Sequence, residues 1–287
     1  MTIATIDCHD PEAPRRFTES LIDTGFAILV DHAVPYPAVL EMRDAWAAFF
    51  ADDTKYGFLP SAGNQDGYHP MSMAEQAVGA KAADLKEFFH WYPWARQPPG
   101  VSAATGRFFT AAYDLAKTLL DWLDQELATR IDRPLPRSLT SMLVGSRRTL
   151  LRVAHYPPLT AAPPPGSMRA APHEDINLLT VLPAADSPGL QVLGRDGAWT
   201  DVADDAGTIT INAGDMLQLV TGGAVRSATH RVANPTGPAA RTSRLSTPLF
   251  VQPADDVELA PGTTAFAFQA ERLRAIRGIE LGPLTRD

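Results

Sequence analysis

His173 and Asp175 stand one residue apart in the stretch APHEDINLLTVL (Ala171–Leu182). Residues i and i+2 of a strand point to the same face, so this spacing sets an imidazole beside a carboxylate. His230, in RSATHRV, lies 55 residues beyond the aspartate (230 − 175). Two imidazoles and one carboxylate fill half of an octahedral sphere. That suits a ferrous ion which must leave room for a cosubstrate and O2. The same ligands with a water would also suit zinc and hydrolysis. A surface His–Asp pair with an unrelated His230 is the plain alternative. Position favours a metal: the pair opens an apolar strand after a proline-rich loop, and His230 sits on a later, turn-flanked strand.

Arg244 and Ser246, in SRLSTPLF, are again i and i+2. A guanidinium fork beside a hydroxyl is a site for a carboxylate. An arginine buried in an apolar strand needs an anion, which an internal Asp or Glu could also supply. Tyr156 ends LLRVAHY and could add a phenol donor; on that alternation Arg152 shares its face and His155 turns away. Asn177 shares a strand face with His173 and Asp175, and Tyr68 sits in the loop GYHP. Both are candidates to border a substrate, and both have an equally good structural reading. His90, in DLKEFFHWYPW, is a rival to His230 as third ligand, whereas His32 reads as a capping group at a strand end. No side chain is assigned as a catalytic acid or base.

The elements that must position these residues follow from periodicity. Ala13–Thr24 has helical spacing and stops at Gly25; Phe26–Val30 is a short apolar strand; Tyr36–Phe50 is a second helix. Ala51–Ala83 is irregular and rich in glycine and proline, as segments framing a substrate mouth often are. The aromatic run Asp84–Trp94 is expected to pack on the main sheet, and Gly106–Leu127 is the clearest helix. From residue 149 the pattern changes to short strands: Thr149–Tyr156, Ile176–Leu182, Gly189–Leu193, Thr208–Ile211, Met216–Thr221, Ser227–Val232 and Arg244–Val251. Many short strands without intervening helices indicate a sandwich or jelly roll. Thr263–Arg277 closes as a helix, and Pro157–Pro172 reads as a lid before the metal strand. The expected division is a helix-and-strand region, 1–140, packed on a core, 141–287, in one continuous unit.

Composition narrows the class. A hydrophobic fraction of 45% and a charged fraction of 20% are ordinary for a soluble domain. A net charge of −8 argues against a nucleic-acid or anionic-membrane partner. The single cysteine, Cys8, excludes an intrachain disulfide and a multi-cysteine zinc site. No signal peptide or membrane-spanning run is visible. The expectation is a cytoplasmic, monomeric enzyme acting on a small molecule.

HEDINLLTVL, PGLQV, NAGDMLQLVTGG, RSATHRV and RLSTPLF follow one another in an order and spacing that resemble the isopenicillin N synthase-like family of iron(II)/2-oxoglutarate dioxygenases. TGFAILVDHAVP, GYHP and DLKEFFHWYPW extend the resemblance across nearly the whole chain. It implies a distorted double-stranded β-helix, mainly β, with flanking N-terminal helices and a C-terminal helix. It implies iron at His173, Asp175 and His230, with the distal carboxylate of 2-oxoglutarate at Arg244 and Ser246. Family members often carry Asn two residues before the tyrosine matching Tyr156; here that residue is Ala154. The implied reaction consumes 2-oxoglutarate and O2 and hydroxylates, desaturates or cyclises a small metabolite. HEDINLLTVL also resembles isopenicillin N synthase itself, an oxidase that keeps Arg-x-Ser without using 2-oxoglutarate. A 2-oxoglutarate-independent oxidase and a non-catalytic β-helix binding protein therefore stand as alternatives.

Overall fold

The computed structural model describes residues 1–60, 65–74, 83–132, 134–278, 280–282 and 284. The chain begins β1 (Thr5–Asp7), α1 (Ala13–Thr24), β2 (Phe26–Val30), α2 (Tyr36–Ala51), β3 (Gly67–His69), β4 (Glu87–Trp91) and α3 (Ser102–Leu127). It continues β5 (Leu150–Tyr156), β6 (Ala170–His173), β7 (Leu179–Pro183), β8 (Leu190–Leu193), β9 (Trp199–Asp201) and β10 (Ile209–Ala213). It ends α4 (Asp215–Val220), β11 (His230–Val232), β12 (Arg244–Ser246), β13 (Leu249–Val251) and, after a short ribbon, α5 (Ala265–Arg277).

A nine-stranded sheet runs β1-β2-β10-β7-β13-β5-β4-β3, with β12 also pairing β5; a four-stranded sheet runs β6-β11-β8-β9. This is a double-stranded β-helix with an extended major sheet. The first 140 residues do more than pack on it: β2 pairs β10, and β4 pairs β5. One side of the major sheet is sealed by α3, which packs against β7 and β13. Leu119, Leu120, Leu123 and Leu127 of α3 are wholly buried, and each such side chain contributes about 1.5–3 kcal/mol. Trp46 of α2 fixes the neighbouring helix by donating from Nε1 to Thr105 Oγ1 at 2.9 Å.

Gly25 shows how a helix end reaches the site. It caps α1 in the left-handed conformation at φ 77°, donating to the Leu21 carbonyl at 3.0 Å. A Cβ here would lie 2.6 Å from the Arg226 carbonyl and 2.8 Å from the Ala228 Cβ. The glycine therefore lets α1 and β2 lie against the segment that delivers His230.

Several elements differ from the sequence reading. Met216–Thr221, expected as a strand, is mostly the helix α4, because a short apolar run does not separate strand from buried helix by itself. Its buried positions Asp215, Met216 and Val220 follow helical spacing. The strand expected over 176–182 starts only at Leu179, and 174–178 form a turn. Arg244–Val251 is two strands, broken at Thr247-Pro248, where Pro248 lacks an N–H and uses its carbonyl to accept from Arg152 N at 3.0 Å. β6 begins inside the segment read as a lid. Of the irregular segment 51–83, residues 61–64 and 75–82, with Gly63 and Gly79, lie outside the described residues.

Candidate metal and cosubstrate site

Antiparallel pairing of β6 with β11 sets His173 directly opposite His230. That register closes the 55-residue gap and leaves the two rings 4.4 Å apart. Asp175 lies beyond the end of β6, on the turn 174–178. Backbone amides at the start of α4 clamp that turn: Gly214 N donates to Leu178 O at 3.1 Å, Asp215 N to Asp175 O at 2.8 Å, and Met216 N to Asn177 O at 3.1 Å. The NAGDM motif is thus the support of the aspartate. A Cβ on Gly214 would lie 2.8 Å from Asp175 O and would also run into Asn177.

Asp175 Oδ1 is 3.9 Å from His173 Nε2 and 3.8 Å from His230 Nε2. The other atom of each side chain is already engaged. Asp175 Oδ2 accepts from Thr180 Oγ1 at 2.5 Å and from Asn212 Nδ2 at 2.8 Å. His173 Nδ1 pairs with the Ala171 carbonyl at 2.7 Å, and His230 Nδ1 with the Ala228 carbonyl at 3.1 Å. A carbonyl only accepts, so both Nδ1 atoms carry a proton and both Nε2 atoms are turned to the centre. Burial, then the neighbouring His230, pushes the His173 pKa down, which keeps its ring neutral. Burial works to raise Asp175, but the two imidazoles and the hydrogen bonds from Thr180 and Asn212 outweigh it and hold the carboxyl below its usual range. Two imidazoles turned with Nε2 to the centre and a carboxylate, each with one oriented atom unspent, are a donor set that fits a ferrous ion. His90 does not compete: its Nδ1 pairs with the Gln65 carbonyl at 2.8 Å and its Nε2 accepts from Arg152 Nε at 2.9 Å.

A cavity of about 60 Å³ joins these three residues to Tyr156, Arg244 and Ser246. Tyr156 and Arg244 face each other across β5 and β12, and Ser246 faces Ala154. Arg244 is 2% exposed. Its Nε donates to the Ser187 carbonyl at 2.9 Å and its guanidinium lies 5.3 Å from the Tyr156 ring centre. Its Nη1 is buried with no hydrogen-bond partner among the described residues. No carboxylate among the described residues forms an ion pair with it: Asp186, a nearby acid, accepts from Leu245 N at 3.2 Å instead. A buried guanidinium with an unspent N–H is what an incoming carboxylate requires.

Residues 148–253, which span this whole constellation, match the model of the 2OG-Fe(II) oxygenase superfamily. The solved structure of a candidate oxygenase from Shewanella oneidensis is 41% identical, over 94% of this chain and 97% of that one, with a TM-score of 0.85. The chain belongs to the 2OG-Fe(II) oxygenase superfamily. It is an iron(II)- and 2-oxoglutarate-dependent dioxygenase, with O2 as oxidant. Gibberellin 2-beta-dioxygenase 2 of Oryza sativa subsp. japonica is 29% identical, over 88% of this chain and 74% of that protein. The fold recurs in a full-length Neurospora crassa protein solved with alpha-KG, at 21% identity, 94% and 95% coverage and a TM-score of 0.78.

A larger cavity of the oxygenase, about 340 Å³, opens from His173 and Asp175 towards α5. Arg152 and Phe250 line both cavities and so stand at their junction. Arg152 is held there by His90 and by the rings of Phe88 and Phe250, 4.8 and 5.2 Å from its guanidinium carbon. Neither Asn177 nor Tyr68 borders this space. Asn177 is wholly buried and donates to Thr180 Oγ1 at 2.8 Å, so it braces the Asp175 network from behind. It misses the metal face because the strand stops at His173, and strand alternation does not carry through the turn. Tyr68 is 1% exposed, packs edge-on against Tyr56 and bonds Glu87 on the far side of β4.

Sequence reasoning missed three features of the oxygenase's site. Lys86 and Asp84 form a buried ion pair at 2.8 Å, and Asp84 Oδ1 accepts from Ala171 N at 2.9 Å, tying the start of β6 to the segment that leads into β4. The alternation Asp84-x-Lys86 was the available signal. Arg169, 1% exposed, lies against Tyr156 with its guanidinium 5.8 Å from the ring centre. Nothing local marks it, because the cation reaches Tyr156 only through pairing of distant strands. The third feature is the wall supplied by α5.

Proposed function

We propose that His173 Nε2, Asp175 Oδ1 and His230 Nε2 hold the iron, and that Arg244 and Ser246, with Tyr156, hold the distal carboxylate of 2-oxoglutarate. The observation that carries this reading is the one small cavity shared by an oriented three-atom donor set and a buried arginine with an unspent N–H. When bound, iron, 2-oxoglutarate and O2 supply the oxidising power, with succinate and CO2 released and a substrate C–H bond hydroxylated, desaturated or cyclised. The protein's share is position and dryness. Thr180 and Asn212 fix which carboxylate oxygen faces the centre, and the Ala171 and Ala228 carbonyls fix both imidazoles. Arg152 and Phe250 separate the cosubstrate end from the larger space, where the substrate goes.

Relatives named for gibberellin and for flavonol, and the Neurospora crassa structure solved with thymine, support a small-molecule substrate. The net charge of −8 supports a reading without nucleic acid. The free Cys8 suits a reducing, cytoplasmic compartment, where we place the enzyme as a monomer. No helix among the described residues is long and apolar enough to cross a membrane. Anaerobic titration tests the reading. Iron(II) and 2-oxoglutarate added together should give a weak visible charge-transfer band saturating at one equivalent of each, and O2 should then yield succinate. A protein that binds iron but develops no band with 2-oxoglutarate would refute it.

A further inference from the structure

Gln269 occupies a place where helix packing calls for an apolar side chain. The inward face of α5 runs Ala265, Gln269, Leu273 at four-residue steps, and all three are buried. Gln269 is 7% exposed, lines the larger cavity beside Leu273, and its amide makes no hydrogen bond to any described residue. A second amide with unmet capacity lines the same cavity. Gln252, 4% exposed, donates from Nε2 to the Ile176 carbonyl at 2.6 Å, and this leaves its Oε1 buried without a partner among the described residues. The charged side chains outside the metal centre that line this cavity each have a partner: Asp84 pairs with Lys86 and Asp215 with Arg272, both at 2.8 Å, Glu174 accepts from Thr229 Oγ1, and Arg152 donates from Nε to His90 at 2.9 Å.

We propose that Gln269 reads the substrate, and that the substrate presents a neutral edge with an N–H next to a C=O, as in a primary carboxamide, a lactam or a heterocycle with the same edge. The inference rests on the cavity being the substrate site of the oxygenase. A primary amide side chain has donors on one atom and an acceptor on the other, and only a partner with both satisfies it in one pairing. A carboxylate offers acceptors alone and would leave both glutamine Oε1 atoms without a donor. An apolar skeleton would bury both amides unsatisfied.

Anaerobic calorimetry on the iron(II)- and 2-oxoglutarate-loaded protein tests this with the six-membered lactam piperidin-2-one and its N-methyl derivative, which lacks only the donor. The lactam should bind about tenfold or more tighter, the worth of about one satisfied hydrogen bond. In Gln269→Leu, which suits both a helix and its apolar face, the ratio should fall to about twofold or less; Gln269→Met serves as the second variant. Equal binding of the two probes by the native protein, binding of neither, or a preference that survives both substitutions overturns the proposal. The charge-transfer band of the same samples separates the causes. A band without lactam preference removes Gln269 from its role, and absence of the band removes the cosubstrate assignment instead.

Discussion

Replacing Arg244 with methionine keeps most of the stem and deletes the guanidinium. Without a bound anion that group gains little: one bond to the Ser187 carbonyl and contact with the Tyr156 ring, with Nη1 unpartnered among the described residues. Its charge also works against two other buried arginines. Burial chiefly lowers the pKa of Arg169 and of Arg43, and Arg244 adds to the shift in both. Arg244→Met should therefore leave the ligand-free fold within about 1 kcal/mol of the native one. The carboxylate is where the loss appears. Deleting one partner of a buried charge pair costs about 2–5 kcal/mol. At about 3 kcal/mol, the dissociation constant for 2-oxoglutarate rises about 150-fold. Iron affinity should move less than about threefold, because none of the contacts of Arg244 involves the metal donors. Two assays read this: anaerobic titration of the charge-transfer band, and thermal or denaturant unfolding with and without 2-oxoglutarate. At about 100 times the native dissociation constant, the cosubstrate stabilises the native protein by about 2.7 kcal/mol, and the variant by only about 0.3 kcal/mol. A 2-oxoglutarate affinity within about threefold of native, or iron affinity falling in parallel, would refute the reasoning.

Further expectations follow from the same geometry. Asp175→Ala removes a metal donor and leaves Thr180 and Asn212 without their acceptor; turnover should vanish, and iron should wash out in chelator that the native protein resists, whereas a fully active variant would reject the ligand assignment. Gly214→Ala drives a methyl into backbone that supports Asp175, so it should cost about 1–3 kcal/mol of stability and weaken iron binding as well, although residue 214 touches no metal; normal iron affinity would show that the turn gives way freely. Glu87 tests the pH dependence of the fold. Burial acts to raise its carboxyl, but His155, Tyr68 and Lys55 outweigh it and hold its pKa below the ordinary value. Its contribution is thus full above the unfolded carboxyl's pKa of about 4.3 and is lost as pH falls through the folded value. Glu87→Gln should cost about 3 kcal/mol at pH 7 and flatten the acid limb of the stability profile below about pH 4.3; an unaltered slope there would count against the network.

Local patterns were legible where one signal ruled. α1 and β2 occupy the spans expected from helical spacing, a stopping glycine and a short apolar run. α4 was hidden because six apolar-rich residues carry too little periodicity to show a helix. The site was legible through residue types more than through geometry. His173, Asp175 and His230 do converge, but register pairing of β6 with β11 brings the histidines together, and a clamped turn delivers the aspartate. Strand alternation names the neighbour of His173 correctly and then misplaces Asn177. Arg169, the Asp84–Lys86 pair and Gln269 acquire meaning only from partners far along the chain, which no local window contains.

The central claim is most directly tested by crystals of the anaerobic iron(II)–2-oxoglutarate complex, measured on both sides of the iron absorption edge. One anomalous peak is expected, bonded to His173 Nε2, Asp175 Oδ1 and His230 Nε2, with the far carboxylate of 2-oxoglutarate on Arg244. Iron held elsewhere, or a cosubstrate that leaves Arg244 untouched, would contradict the account.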